Sequence, residues 1–124
     1  MPRAPDTVLI IDDDMPVRTA LKELFETEGY AVALAANGRA ALNHLRKGLR
    51  PCAILLDLMM PVMDGWDFRN EQLAHPDFRD IPVVILTAAG FSAETVRAQF
   101  GDVPFVPKPP PHTGLLDVVK RFSR

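Results

Sequence analysis

Thr7-Val8-Leu9-Ile10-Ile11 runs without a polar interruption into Asp12-Asp13-Asp14. A continuous aliphatic and β-branched run of this length reads as a strand buried on both faces, with polar residues where it leaves the sheet. Burial on both faces calls for helices above and below it, and the rest of the chain supplies them.

From Pro16 onward, Val17, Leu21, Leu24 and Glu28 keep a helical rhythm with Ala20 and Phe25 beside them; Pro16 suits the first turn and Gly29 the stop. Ala31 to Ala35 reads as a second strand, Asn37-Gly38 as a turn, and Arg39 to Lys47 as a helix burying Ala41, Leu42 and Leu45 before Gly48. Ala53 to Leu56 is a third strand ending at Asp57. A loop rich in Met and Pro, Leu58 to Gly65, then leads into a helix over about Trp66 to His75.

Pro82 to Leu86 is the fourth strand, ending at Thr87, and Ser92 caps a fourth helix carrying Val96 and Phe100. Val103 to Val106 is a short fifth strand running into Lys108. Leu115, Leu116, Val118, Val119 and Phe122 stripe a last helix. Five strands alternating with five helices through short connections predict right-handed crossovers and a mainly parallel sheet, helices on both faces, in three layers.

The 124 residues suit a single domain over 1–124, with a core over about 7–123. The apolar share of 48% is enough for one core, and 14 Lys and Arg against 16 Asp and Glu leave a charge of -2, which argues against direct nucleic-acid binding. Cys52 has no second cysteine to pair with, and the apolar run at 8–11 is too short for a signal peptide or a membrane span. The expected address is cytoplasmic, with no membrane insertion. Twelve prolines are about twice the usual share.

Asp12, Asp13, Asp57, Thr87 and Lys108 are scattered in sequence, yet each stands at or just past the carboxyl end of a predicted strand. In a parallel sheet those ends share one edge, where open α/β sheets bind their ligands. The expected site therefore holds three carboxylates and one ammonium. Clustered carboxylates repel, and a hard divalent ion such as Mg²⁺ relieves the repulsion. In that setting a carboxylate can act as a nucleophile toward phosphorus, with the Lys108 ammonium and the Thr87 hydroxyl on the phosphoryl oxygens.

The motifs Ile10-Ile11-Asp12-Asp13-Asp14, Leu55 to Gly65 around Asp57-Leu58-Met59-Met60-Pro61, Ile85-Leu86-Thr87-Ala88 and Phe105-Val106-Pro107-Lys108-Pro109 stand in order at these strand ends. With them the chain resembles the receiver domain of two-component response regulators, of the chemotaxis-regulator kind, from Thr7 to the last helix. The resemblance implies a flavodoxin-like strand order 2-1-3-4-5. It implies that Asp57 accepts a phosphoryl group from a histidine of a sensor histidine kinase or a histidine phosphotransfer protein. Asp13, Asp57 and the backbone carbonyl of Met59 would hold Mg²⁺ or Mn²⁺, with Asp12 acting through water.

By the same resemblance, Thr87 and Lys108 bind the phosphoryl oxygens, Phe105 is the aromatic switch residue, and the face of helix four, strand five and helix five is the readout. It implies a signalling domain in place of an enzyme, an unspecified downstream protein target, and a dimer that depends on phosphorylation. Surface residues near helix one, such as Arg18 and Lys22, would select the kinase.

Other residues carry plainer readings. Asp64-Gly65 is a structural turn that uses glycine's φ range. His44, His75 and His112 lack metal-site spacing and read as surface residues, while Trp66 and the methionines read as loop packing. Where the family often has a polar side chain two residues past the acceptor stands Met59, and two past Thr87 stands Ala89, so slow hydrolysis of an aspartyl phosphate is expected. Pro109-Pro110-Pro111 stiffens the loop before the last helix, and Pro104 and Pro107 suit an edge strand.

Two other functions compete. A receiver fold that no longer takes phosphate would be a constitutive protein-binding module, which the intact Asp12, Asp13, Asp57, Thr87 and Lys108 oppose. An aspartyl-nucleophile phosphohydrolase typically has a second Asp two residues after the first, where Met59 stands here. A flavodoxin-like cofactor binder would need a phosphate loop after strand one, and none follows it.

Overall fold

Apolar runs and amphipathic stripes alternate along the chain as strands and helices. In the computed structural model, residues 5–58, 60, 62–87, 93–101, 103–107 and 112–123 are described. The elements are β1 (Thr7–Ile11), α1 (Met15–Thr27), β2 (Ala31–Ala35), α2 (Gly38–Arg46), β3 (Ala53–Asp57), α3 (Gly65–Ala74), β4 (Val83–Thr87), α4 (Ala93–Phe100), β5 (Phe105–Pro107) and α5 (His112–Lys120).

The strands form one parallel sheet in the order β2-β1-β3-β4-β5. Successive side chains on a strand point to opposite faces, so each strand feeds two cores. Leu9, Ile11, Ile54 and Leu56 pack with Leu42 and Leu45 of α2, Phe68 of α3 and Val96 and Phe100 of α4. Val8, Ile10, Leu55 and Leu86 pack on the other face with Leu21 and Phe25 of α1 and Leu115 and Val119 of α5. Each such side chain, fully buried, contributes about 1.5–3 kcal/mol.

The helix starts follow capping chemistry. The Asp14 carboxylate accepts from the Val17 amide at 3.3 Å to open α1, with Pro16 in its first turn. Asn37, expected in a turn with Gly38, is instead the N-cap of α2, its side chain accepting from the Ala40 amide at 2.9 Å, so that helix begins at Gly38.

The fifth strand is displaced from the expected Val103 to Val106. The Val103 amide donates to the Gly101 carbonyl at 2.9 Å in the turn after α4, and the Pro104 carbonyl accepts from the Ile85 amide while Pro104 has none to give in return. Pairing with β4 then runs Ile85↔Phe105 to Thr87↔Pro107. β5 lies at the sheet edge, the position that suits Pro104 and Pro107. α5 ends at Lys120, and Phe122 lies in the turn beyond it while still packing on the core. Ser92 and Pro109 to Pro111 lie outside the described residues.

His44 is not a simple surface residue, because its Nε2 sits 2.9 Å from the Leu34 carbonyl and ties α2 to β2. His75 is exposed and stacks on Phe78 with ring centroids 4.0 Å apart. Trp66 packs against Phe100 at 5.1 Å.

Candidate functional site

β1 and β3 are neighbours in register Ile11↔Leu56, so the residues that follow, Asp12 and Asp57, leave the sheet side by side. Asp12 is fully buried and Asp57 5% exposed, while Asp13 faces solvent. Carboxylate oxygens of Asp12, Asp13 and Asp57 lie within 4.8 Å of one another. Three hard oxygen donors so close together, two of them withdrawn from water, fit a hard divalent cation of the Mg²⁺ kind, whose positive charge offsets their mutual repulsion.

The acidic turn is held by its own backbone. The Asp12 amide donates to the Ala35 carbonyl at 3.1 Å, and the Asp14 amide donates to Asp12 Oδ1 at 2.9 Å. Arg18, half-buried in α1, adds a contact that the surface reading missed: its Nη1 donates to the Asp12 carbonyl at 2.7 Å. No motif signals this, since it joins residues six apart across a helix cap.

On the other side of the site Gly65 opens α3 against the backbone of Asp57. A Cβ at Gly65 would meet the Asp57 carbonyl oxygen at 2.5 Å and Leu58 Cα at 2.8 Å. The Gly65 amide donates to the Leu58 carbonyl at 3.0 Å, and Asp64 caps the helix by accepting from the Asp67 amide at 2.9 Å. The expectation that this glycine serves a left-handed turn is therefore corrected. Space requires it, and among the described residues of the loop the left-handed one is Val62, at φ 67° and 72% exposed. That conformation costs a β-branched residue about 1–2 kcal/mol.

Thr87 ends β4, one residue beyond Leu86, which is the partner of Asp57 in the register. The sheet thus brings Asp12, Asp13, Asp57 and the backbone of Thr87 to one edge. Phe105 stands on β5 opposite Ile85, half-buried against the core shared with α4. It lines a cavity of about 300 Å³ with Val96, Arg97, Val103 and Arg121. Met59, Ala89 and Lys108 lie outside the described residues.

The fold and this edge define a receiver. Residues 8–120 match the response regulator receiver domain family, and the chain belongs to it. It is a signalling domain of two-component systems.

Among its relatives are the response regulator MprA of Mycolicibacterium vanbaalenii, 37% identical over 85% of this chain and 45% of that protein, and the response regulator Rre1 of Synechocystis, 35% identical over 85% of this chain and 46% of that protein. The chain spans a little under half the length of these relatives. Among solved structures, the chemotaxis protein CheY4 of Vibrio cholerae superposes with a TM-score of 0.84 at 30% identity, covering 96% of this chain and 99% of its own. The receiver domain of a signal transduction histidine kinase from Syntrophus aciditrophicus gives 0.82 at 33% identity, covering 94% and 89%. Among the described residues no helix is long and apolar enough to cross a membrane.

Proposed function

We propose that this chain is a phosphoacceptor switch, a single cytoplasmic receiver domain whose Asp57 takes a phosphoryl group from a histidine of a sensor kinase or phosphotransfer protein. A carboxylate oxygen of Asp57 attacks the phosphorus, the phosphorus–nitrogen bond breaks, and its electron pair returns to the imidazole. An acyl phosphate remains on Asp57. Asp13, Asp57 and the Met59 carbonyl, with Asp12 through water, are the residues that would hold Mg²⁺ or Mn²⁺. A cation there supplies positive charge against the phosphoryl oxygens.

Thr87 and Lys108 take the remaining phosphoryl contacts. Inward movement of Thr87 lets Phe105 turn, and the face of α4, β5 and α5 is read by a protein target. The new dianion biases a two-state equilibrium only through contacts that differ between the states.

The observation that carries this reading is the convergence of Asp12, Asp13 and Asp57 within 4.8 Å at the carboxyl edge of the sheet. Intact mass after incubation with acetyl phosphate tests it, using wild type and Asp57→Ala, with Mg²⁺ and then with chelator. One phosphoryl group is expected on wild type with metal and none in the other arms. Modification of Asp57→Ala would move the acceptor elsewhere, and no modification of either protein, followed by none from a cognate kinase, would sink the reading.

A further inference from the structure

Arg69 lies in the middle of α3, on a side that packs toward α4, where an apolar residue would be the simpler choice. Its Nη1 donates to Gln72 Oε1 at 2.8 Å, and its Nη2 reaches the Phe100 carbonyl at 3.4 Å. The guanidinium also sits over the Phe100 ring, 5.8 Å from its centroid, on the residue that Trp66 contacts from one turn earlier in α3. Phe100 is the last residue of α4, so a cation there meets both an open carbonyl and the negative end of the helix dipole.

Gln72 extends the connection. It is fully buried, and its Nε2 donates to the carbonyls of Phe78 and Ile81, both at 3.0 Å, in the segment that leads into β4. Three pieces of chain are tied at this edge: the C-terminal end of α4, the body of α3 and the approach to β4. In a parallel sheet this edge is the one remote from Asp57. A leucine at position 69 would cover the Phe100 ring but leave the Phe100 carbonyl and Gln72 Oε1 without this donor.

Arg69 is held there against a cost. Desolvation draws its pKa below the usual guanidinium value, and its Nε is buried without a hydrogen-bond partner among the described residues.

We propose that Arg69 is a positioning residue that pins the C-terminal end of α4 to α3, so that phosphorylation reaches the readout face through the N-terminal part of α4 and not by displacement of the whole helix. This rests on the reading of Asp57 as phosphoacceptor and of α4 as part of the readout. It assigns to α4 a fixed far end and a responsive near end.

Residue-resolved amide exchange, with and without acetyl phosphate and Mg²⁺, tests it in wild type, Arg69→Met and Arg69→Lys. The Gly101 amide, which donates to the Arg97 carbonyl at 2.9 Å, reports the pinned end. In wild type its exchange is expected to stay within twofold on phosphorylation while amides of Glu94 to Val96 change by more. In unphosphorylated Arg69→Met it should exchange about ten times faster and become responsive to phosphate, with Arg69→Lys restoring part of the protection. A wild-type Gly101 amide that responds as strongly as the first turn of α4, or an Arg69→Met variant with unchanged exchange, overturns the proposal. If mass shows no phosphoryl group on wild type, the acceptor reading fails separately, and the unphosphorylated comparison still decides whether Arg69 pins the helix. Should Arg69→Met not fold, the wild-type and Arg69→Lys arms decide it.

Discussion

Gly65 presses its α-carbon against the backbone of Asp57 so closely that a methyl group there would stand 2.5 Å from the Asp57 carbonyl oxygen. The first turn of α3 and the end of β3 are therefore one packed unit. Gly65→Ala forces the strand end or the helix to move, at about 1–3 kcal/mol for overpacking a tight contact. Urea unfolding should show that loss, and the initial rate of phosphorylation by acetyl phosphate should fall with it. Asp64→Ala, which removes only the helix cap, should cost about 1 kcal/mol and leave the phosphorylation rate near wild type.

Gln72 is the one fully buried amide side chain among the described residues, and it serves the Phe78 and Ile81 carbonyls as well as Arg69. Gln72→Leu keeps the volume but takes a donor from the Ile81 carbonyl and an acceptor from Arg69, while the Phe78 carbonyl keeps the Ile81 amide at 3.1 Å. At about 1–3 kcal/mol for a buried polar group left unsatisfied, the expected loss is about 2 kcal/mol in urea unfolding. A loss below about 1 kcal/mol would mean that water or a shifted loop replaces the amide.

Burial pushes the Cys52 thiol above its ordinary pKa, and the nearby negative charge of Asp6 adds to the effect. An unfolded thiol ionises near about 8.5. Just above that pH the folded protein retains a proton that the unfolded chain has lost, so stability falls as pH rises. The contribution is complete below the unfolded pKa and is lost as pH climbs through the folded one. Unfolding measured from pH 7 to 10 should show a shallower decline for Cys52→Ala than for wild type; parallel curves would contradict the assignment.

Met59 offers only a thioether, a weak acceptor, and Ala89 no polar atom at all, so neither side chain positions an attacking water well. Once formed, an aspartyl phosphate on Asp57 is expected to decay slowly in the purified protein, and Met59→Asn to shorten its life by on the order of tenfold through better positioning of water. Loss of the added mass with time after removal of the donor measures both. Rapid decay of the wild type would show that some other group orients the water.

The sheet was legible because its strands carry unbroken apolar runs that stop at acids, Thr or, after β2, Asn37-Gly38, so β1, β2, β3 and β4 fall where the pattern puts them. Asp12, Asp13 and Asp57 converge for the same reason, since strand ends of a parallel sheet share an edge. What escaped the sequence depends on contacts between distant segments. Nothing local distinguishes a glycine needed for φ from one needed for space, as at Gly65. Nor does it show that Arg18 turns inward to the Asp12 carbonyl, or that His44 reaches Leu34. β5 starts at Phe105 because Pro104, whose carbonyl accepts from the Ile85 amide, has no amide to carry the ladder back to Val103, a stop that the sequence did contain.

Alternation along β1 sends Val8 and Ile10 into one core and Leu9 and Ile11 into the other, with Asp12 on the next step of the same ruler. Deleting one residue from this strand would exchange the two cores' contents and carry the acid one step along the edge. The position of the chemistry and the filling of both interiors are thus written in a single reading frame, so natural variation can move a side chain's size here far more readily than its place.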